Sequence, residues 1–150
     1  MPKTPKTTKG KAKAKAIQKG YRSGLEEKTG EYLTKLGVDY EYEAHKIKWV
    51  DYNVRKYTPD FFLPNGIIIE TKGRFTAADR KKHLKIQEQH PLLDIRFVFS
   101  NANNRLYKGS GTMYRQWCER NHFKWANKEI PTEWIDEPEV DFRIEEIRYD

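Results

Sequence analysis

No stretch of this 150-residue sequence approaches the roughly 18 consecutive apolar residues that a membrane span requires. The N-terminus carries lysines but no apolar segment behind them, so it does not read as a secretory signal. Cysteine is nearly missing. Cys118 stands alone, which excludes an internal disulfide and any cysteine-based zinc site and fits a reducing cytoplasm. There is no glycine-rich phosphate loop of the Walker type and no serine–histidine hydrolase motif, so the chemistry calls for no nucleotide cofactor. His83 and His90 lie seven residues apart with no cysteine to complete a metal set; His83 reads as surface or DNA-facing and His90 as helix-terminal.

What is present is charge, unevenly spread. The length suits one compact domain, and the 37% hydrophobic and 34% charged residues imply a modest core under a heavily charged surface. Residues 1–20 hold Lys3, Lys6, Lys9, Lys11, Lys13, Lys15 and Lys19 with no acid, equal to the whole formal net charge of +7. The stretch from Glu133 to Asp150 is acidic, and the body between the two is basic. A basic arm on a basic body points to a polyanion such as nucleic acid, because each phosphate neutralised releases counterions. A solvated tail is the plainer alternative. The expected organisation is a low-complexity basic arm (1–20), a folded body (21–135) and an acidic tail (136–150).

Within the body, Leu25, Tyr32, Leu33 and Leu36 share a helical face. Ser23 with Glu26 forms a capping-box pattern and Gly37 suits the C-terminus, so a helix is expected over 23–36. Val38, Tyr40 and Tyr42 alternate with acids as a half-buried strand, with a bulge near His45 before Ile47 and Trp49 resume the pattern. Residues 50–56 read as a polar connector, Thr76 caps a helix that Pro91 ends, 93–100 form a buried strand, and Met113–Arg120 a further helix before an irregular aromatic segment. The order points to an α/β layer fold with a mixed sheet. The four tryptophans read as core or dimer packing rather than base-stacking platforms.

The stretch YTPDFFLPNGIIIETKG (57–73) carries the chemistry. Pro64 suits the second position of a type I turn and Gly66 the left-handed position after it, giving a three-residue hairpin loop with a bulge. In that register Leu63 faces Ile67, Phe62 faces Ile68, Phe61 faces Ile69 and Asp60 faces Glu70, with Lys72 on the same face as Glu70. A two-residue Asn-Gly turn would shift the pairing by one. Two opposed carboxylates repel unless compensated, and a divalent cation such as magnesium or manganese is the natural compensator. Such an ion polarises a scissile phosphate, and Lys72 could orient an attacking water or stabilise transition-state charge. A simple cross-strand ion pair is the bland alternative, but acids directly after a core strand are costly without a purpose.

Pro59-Asp60 followed by Glu70-Thr71-Lys72 resembles the signature of the PD-(D/E)xK nuclease superfamily. With YRSGLEEK (21–28), DRKKHLKIQEQHP (79–91), LDIRFVFS (93–100) and LYKGS (106–110), the chain from about 21 to 135 resembles the endonuclease I family of T7-like bacteriophages, the Holliday-junction resolvases. The resemblance implies a restriction-endonuclease-like mixed sheet flanked by helices in an intertwined, domain-swapped homodimer. It assigns Asp60, Glu70, Lys72 and Glu26 as catalytic, and Asp60, Glu70, Glu26 and the Thr71 backbone carbonyl as holders of Mg2+, with Mn2+ substituting. The residue pattern by itself gives Glu26 only a capping role, and the resemblance adds metal binding to it. The family's sites are composite, with the helix glutamate supplied by the other subunit and the segment after Trp49 as the crossing bridge.

The activity implied is metal-dependent hydrolysis of four-way and other branched DNA in the infected host's cytoplasm, serving phage recombination, debranching before packaging and host DNA breakdown. The candidate DNA contacts are Lys19, Arg22, Arg74, Arg80, Lys81, Lys82 and Lys85; a solvated helix face is the alternative for any one of them. Another PD-(D/E)xK nuclease, of restriction or repair type, and a non-catalytic DNA-binding module are the rival readings. Family members end in basic residues, whereas this chain ends EPEVDFRIEEIRYD, so no DNA-contacting role carries over to its C-terminus.

Overall fold

The computed structural model describes residues 20–140, so Lys19, most of the basic arm and residues 141–150 of the acidic tail lie outside the described residues. Helix α1 spans Gly24–Lys35, β1 Glu41–Tyr42, β2 Ile47–Asp51, β3 Asn53–Tyr57, β4 Phe61–Phe62 and β5 Ile68–Lys72. Helix α2 follows at Ala77–Gln89, then β6 at Ile95–Phe99, α3 at Tyr114–Arg120, β7 at Trp125–Asn127 and α4 at Thr132–Ile135.

Five strands form one mixed sheet in the order β1-β4-β5-β6-β7. The first two pairings are antiparallel, and β5–β6 and β6–β7 are parallel. Side chains alternate across the sheet. Ile68, Phe97 and Phe99 join Ile86 of α2 and Trp117 of α3 in one core, while Phe61, Ile69 and Val98 join Leu33 of α1 and Trp134 of α4 in another. The domain is therefore three layers, helix–sheet–helix. All five residues of β6 are buried, as expected of a parallel strand covered on both faces.

The turn chemistry settles the hairpin register. Gly66 has φ +90°, Leu63 N–H donates to Ile67 O at 2.9 Å, and Phe61 pairs with Ile69 and Phe62 with Ile68. The three-residue loop is the one formed. Gly37 ends α1 at φ +70°, and the Thr76–Asp79 capping box opens α2. At Gly30 a Cβ would sit 2.2 Å from the Tyr21 hydroxyl, so only glycine lets Tyr21 cross α1 and pack beside Tyr42 and Phe61.

Three expectations are corrected. The strand beginning near Val38 is only two residues long and does not resume in the same sheet: at Glu43 the backbone turns left-handed (φ +47°), and β2 departs from the main sheet. Residues 50–56 are no connector, since β2 and β3 form an antiparallel hairpin with Ile47 opposite Tyr57 and a turn at Tyr52. The aromatic segment after α3 supplies an edge strand, β7, and the short α4. Trp49, Trp117 and Trp134 are buried and Trp125 partly so. Glu137, which charge alone placed in the tail, binds the fully buried guanidinium of Arg96 together with Asp94.

Candidate active site

Asp60 lies immediately before β4, and Glu70 and Lys72 close β5, so the hairpin carries all three to one end of the sheet. Asp60 Oδ2 accepts both the Thr71 N–H and the Thr71 hydroxyl, each at 2.8 Å. Glu70 Oε2 accepts the buried Tyr57 hydroxyl at 2.5 Å, and its Oε1 lies 3.7 Å from Lys72 Nζ. Lys72 in turn donates to Asp79 Oδ1 at 3.3 Å. The lysine is an ammonium held between two carboxylates. Burial acts to lower its pKa, but Glu70 and Asp79 outweigh that and raise it.

Helix α1 brings the fourth acid. Ser23 Oγ caps the helix by accepting Glu26 N–H at 3.1 Å. The carboxylate of Glu26 does not close the expected box onto Ser23. It turns inward and accepts from the Tyr42 hydroxyl and from Arg22 N–H at 3.4 Å. Glu26, Glu43 and Asp60 then place one carboxylate oxygen each within 4.8 Å of one another. Glu43 was missed by sequence reasoning, which read it as the polar side of a strand. Its left-handed backbone reverses that direction, with its N–H donating to Asp60 O at 3.0 Å. No residue pattern announces a positive φ at a glutamate.

The electrostatics follow from this crowding. Burial pushes the Asp60 carboxyl up to about 8, helped by Glu70 and Glu26 and opposed by the Thr71 bonds. Burial likewise raises Glu70, against the pull of Lys72, Tyr57 and Lys82. Glu43 Oε1 is buried without a hydrogen bond, its nearest cation being Arg22 at 3.6 Å. Hard oxygen donors, mutual repulsion and an oxygen in want of a partner together suit a divalent cation of the magnesium class. Asp60 clusters with Glu26 and Glu43 and also feels the charge of Glu70, which is not a member of that cluster.

Tyr57 therefore has a job. Tyr57→Phe should weaken Mn2+ binding several-fold in calorimetric titration and cost roughly 1–2 kcal/mol of stability. Mn2+ binding equal to that of the parent would mean that Glu70 needs no such support.

The remaining expected contacts scatter. His83 is neither surface nor DNA-facing. It is fully buried on the inner face of α2, its ring set edge-on to Tyr57 and Phe97 at 5.1 and 4.8 Å, and both ring nitrogens lack partners. Burial, then Lys72 and Lys82, pushes its pKa down to about 3, so it stays neutral. His90 caps α2, as expected. Lys82 places Nζ 4.6 Å over the Tyr57 ring, its pKa lowered by burial. Arg80 donates to Phe75 O at 2.7 Å, Arg22 pairs with Glu43, Lys81 and Arg74 are exposed, and Lys85 is half-buried.

Fold and site together define a mixed α/β protein with a buried carboxylate–lysine centre whose acidic cluster could hold a metal ion. The chain belongs to the Phage endonuclease I family, whose profile matches residues 8–149. It is 49% identical over 138 residues to Endonuclease I of Escherichia phage T7, covering 90% of this chain and 93% of that protein. It is 47% identical over 131 residues to Endodeoxyribonuclease 1 of Enterobacteria phage T3, covering 87% and 86%.

Proposed function

We propose that this phage endonuclease is a structure-selective DNA nuclease that resolves four-way and other branched junctions by metal-dependent hydrolysis. The carrying observation is the cluster of Glu26, Glu43 and Asp60 oxygens, with Glu70 paired to the Lys72 ammonium at the same end of the sheet. The DNA substrate is supported by the name of the phage T3 relative. Asp60, Glu70, Glu26 and the Thr71 carbonyl would hold Mg2+, or Mn2+ in its place, with Glu43 within reach. When bound, the ion supplies Lewis-acid polarisation of the scissile phosphate and a water of lowered pKa. Lys72 donates hydrogen bonds to the phosphate oxygen on which charge accumulates, and Asp79 keeps that ammonium aimed and charged. Thr71 fixes the Asp60 carboxylate, and Tyr57 that of Glu70.

The working unit is a C2 homodimer, which places one site on each of two strands of a junction with approximate two-fold symmetry. The β2–β3 hairpin supports an exchange. Its tip turns at Tyr52, 99% exposed and left-handed at φ +59°; Lys48 opposes Lys56, and the exposed Val50 opposes Val54. A strained bulky residue and a like-charge pair are costs of closing this hairpin that vanish if 47–57 runs on into a second copy. Within the single chain, Glu26 already reaches its own Asp60, so opening the hairpin would make the same site composite. We place the enzyme in the cytoplasm of the infected host, acting in recombination, debranching and host DNA breakdown.

The test is an end-labelled four-way junction and a linear duplex of the same sequence, each with magnesium or with EDTA. Junction cleavage in two symmetric strands, only with magnesium and well above duplex cleavage, is expected. Equal cutting of both substrates would identify a different nuclease of this class, and no cutting a binding module.

A further inference from the structure

A groove of about 1130 Å³ crosses the C-terminal ends of β5 and β6. It lies between the first turn of α1, which leads into Glu26, and Gly73-Arg74, which follow Lys72. The catalytic side chains do not line it; Leu25 and Gly73, their neighbours in the chain, do. The ends of parallel strands are where α/β sheets bind ligands, and this groove exceeds the roughly 300–1,000 Å³ of an ordinary small-molecule cleft. Three cations line it, Lys28, Arg74 and Lys128, against the single acid Glu129. All three are exposed, and none has an ion-pair partner among the described residues.

Two backbone details set this groove apart from a solvated cleft. Lys128 sits at φ +71°, a conformation unfavourable for lysine, held there by its N–H to Phe99 O at 2.7 Å. Gly73, by contrast, has no structural need to be glycine. Its φ is not left-handed, and a Cβ would meet nothing nearer than Ser100 Oγ, itself in the groove wall, at 3.9 Å. A glycine that the fold could replace, beside a catalytic lysine and opening onto a cationic groove, fits close approach of a second backbone.

We propose that this groove seats the sugar-phosphate backbone of the cut DNA strand on one side of the scissile bond, with Lys28, Arg74 and Lys128 on its phosphates and Gly73 leaving the floor clear. The assignment rests on the nuclease reading above and adds the path of the strand to it. Arg74 was a candidate from its place in the sequence; Lys28 and Lys128 come together only in the fold.

The experiment measures anisotropy of a labelled four-way junction with full-length protein in metal-free buffer across a salt series, alongside cleavage rates in magnesium. A Lys28→Ala/Arg74→Ala/Lys128→Ala variant should bind at least tenfold more weakly at low salt. Its slope of log K against log salt should be shallower by about four to five for the dimer, as each of the six lost phosphate contacts removes roughly 0.7–0.9. Lys35→Ala, at the other end of α1, should keep the parental slope. Gly73→Ala should melt like the parent yet cut and bind at least tenfold less well. A parental salt slope in the triple variant, or a folded Gly73→Ala that binds and cuts normally, overturns the groove. Lys72→Ala separates this from the catalytic reading: cutting by that variant sinks the active site whatever the salt slopes show, and its loss alongside parental slopes sinks only the groove.

Discussion

The Lys72→Ala protein should cut a four-way junction more slowly by a factor on the order of 10² to 10³ or more, while binding the junction in metal-free, low-salt buffer almost as the parent does. The asymmetry follows from where the ammonium sits. Its charge is shared between Glu70 Oε1 at 3.7 Å and Asp79 Oδ1 at 3.3 Å in a largely water-excluded place. There a preorganised donor aimed at developing phosphate charge is worth far more than one in solvent. For binding, it is one cation among many phosphate contacts. Loss of the amine should also leave Glu70 more reluctant to ionise, so Mn2+ binding should weaken in the same variant. Glu70→Gln should be equally inactive. The measurement is a single-turnover cleavage course with excess enzyme, so that binding does not limit the rate. Cutting within a fewfold of the parent by either variant would falsify the assignment.

The parts of this site that could be read from the sequence are those whose geometry local chemistry dictates. Pro64 and Gly66 determine the loop, the loop determines the register, and the register sets Asp60 beside the end of β5. Thr76 and Pro91 bound α2 for equally local reasons. What escaped depends on long-range placement. Glu43 joins Asp60 because its backbone flips where β1 ends, which alternation of EYE cannot signal. His83 looked like one more polar residue on a basic helix, with Lys81, Lys82 and Lys85 around it. It is buried because the inner face of α2 meets the rings of Tyr57 from β3, Phe97 from β6 and Phe123 from the loop before β7. The β2–β3 hairpin was invisible because Val50 and Val54 on its exposed face blur the alternation, and its left-handed turn position falls on Tyr52 rather than on Asp51 or Asn53 beside it.

Asp60→Asn should abolish cleavage and, in metal-free buffer near pH 8, make the protein more stable than its parent. In the folded state burial, Glu70 and Glu26 hold the Asp60 carboxyl up at about 8, against 3.8 as its ordinary value. Between those two pH values the folded protein keeps a proton that the unfolded chain has released. Unfolding therefore releases a proton, and stability falls as pH rises, by up to roughly 1.4 kcal/mol per pH unit, until the folded group ionises near 8. Asparagine removes the titration, and its amide oxygen can still accept the two Thr71 bonds, so the variant's melting should depend less on pH across that window. A divalent cation does for the parent what the mutation does, by offsetting the charge. Binding must expel the proton, so Mn2+ affinity should rise about tenfold per pH unit below about 8 and then level off. Paired denaturation curves at pH 5 and pH 8 in EDTA, with Mn2+ titrations at the same two values, read both halves. If the asparagine variant is the less stable protein at pH 8, or if metal affinity ignores pH, the carboxylates are not crowded as the site requires, and a structural ion pair becomes the better account of Asp60.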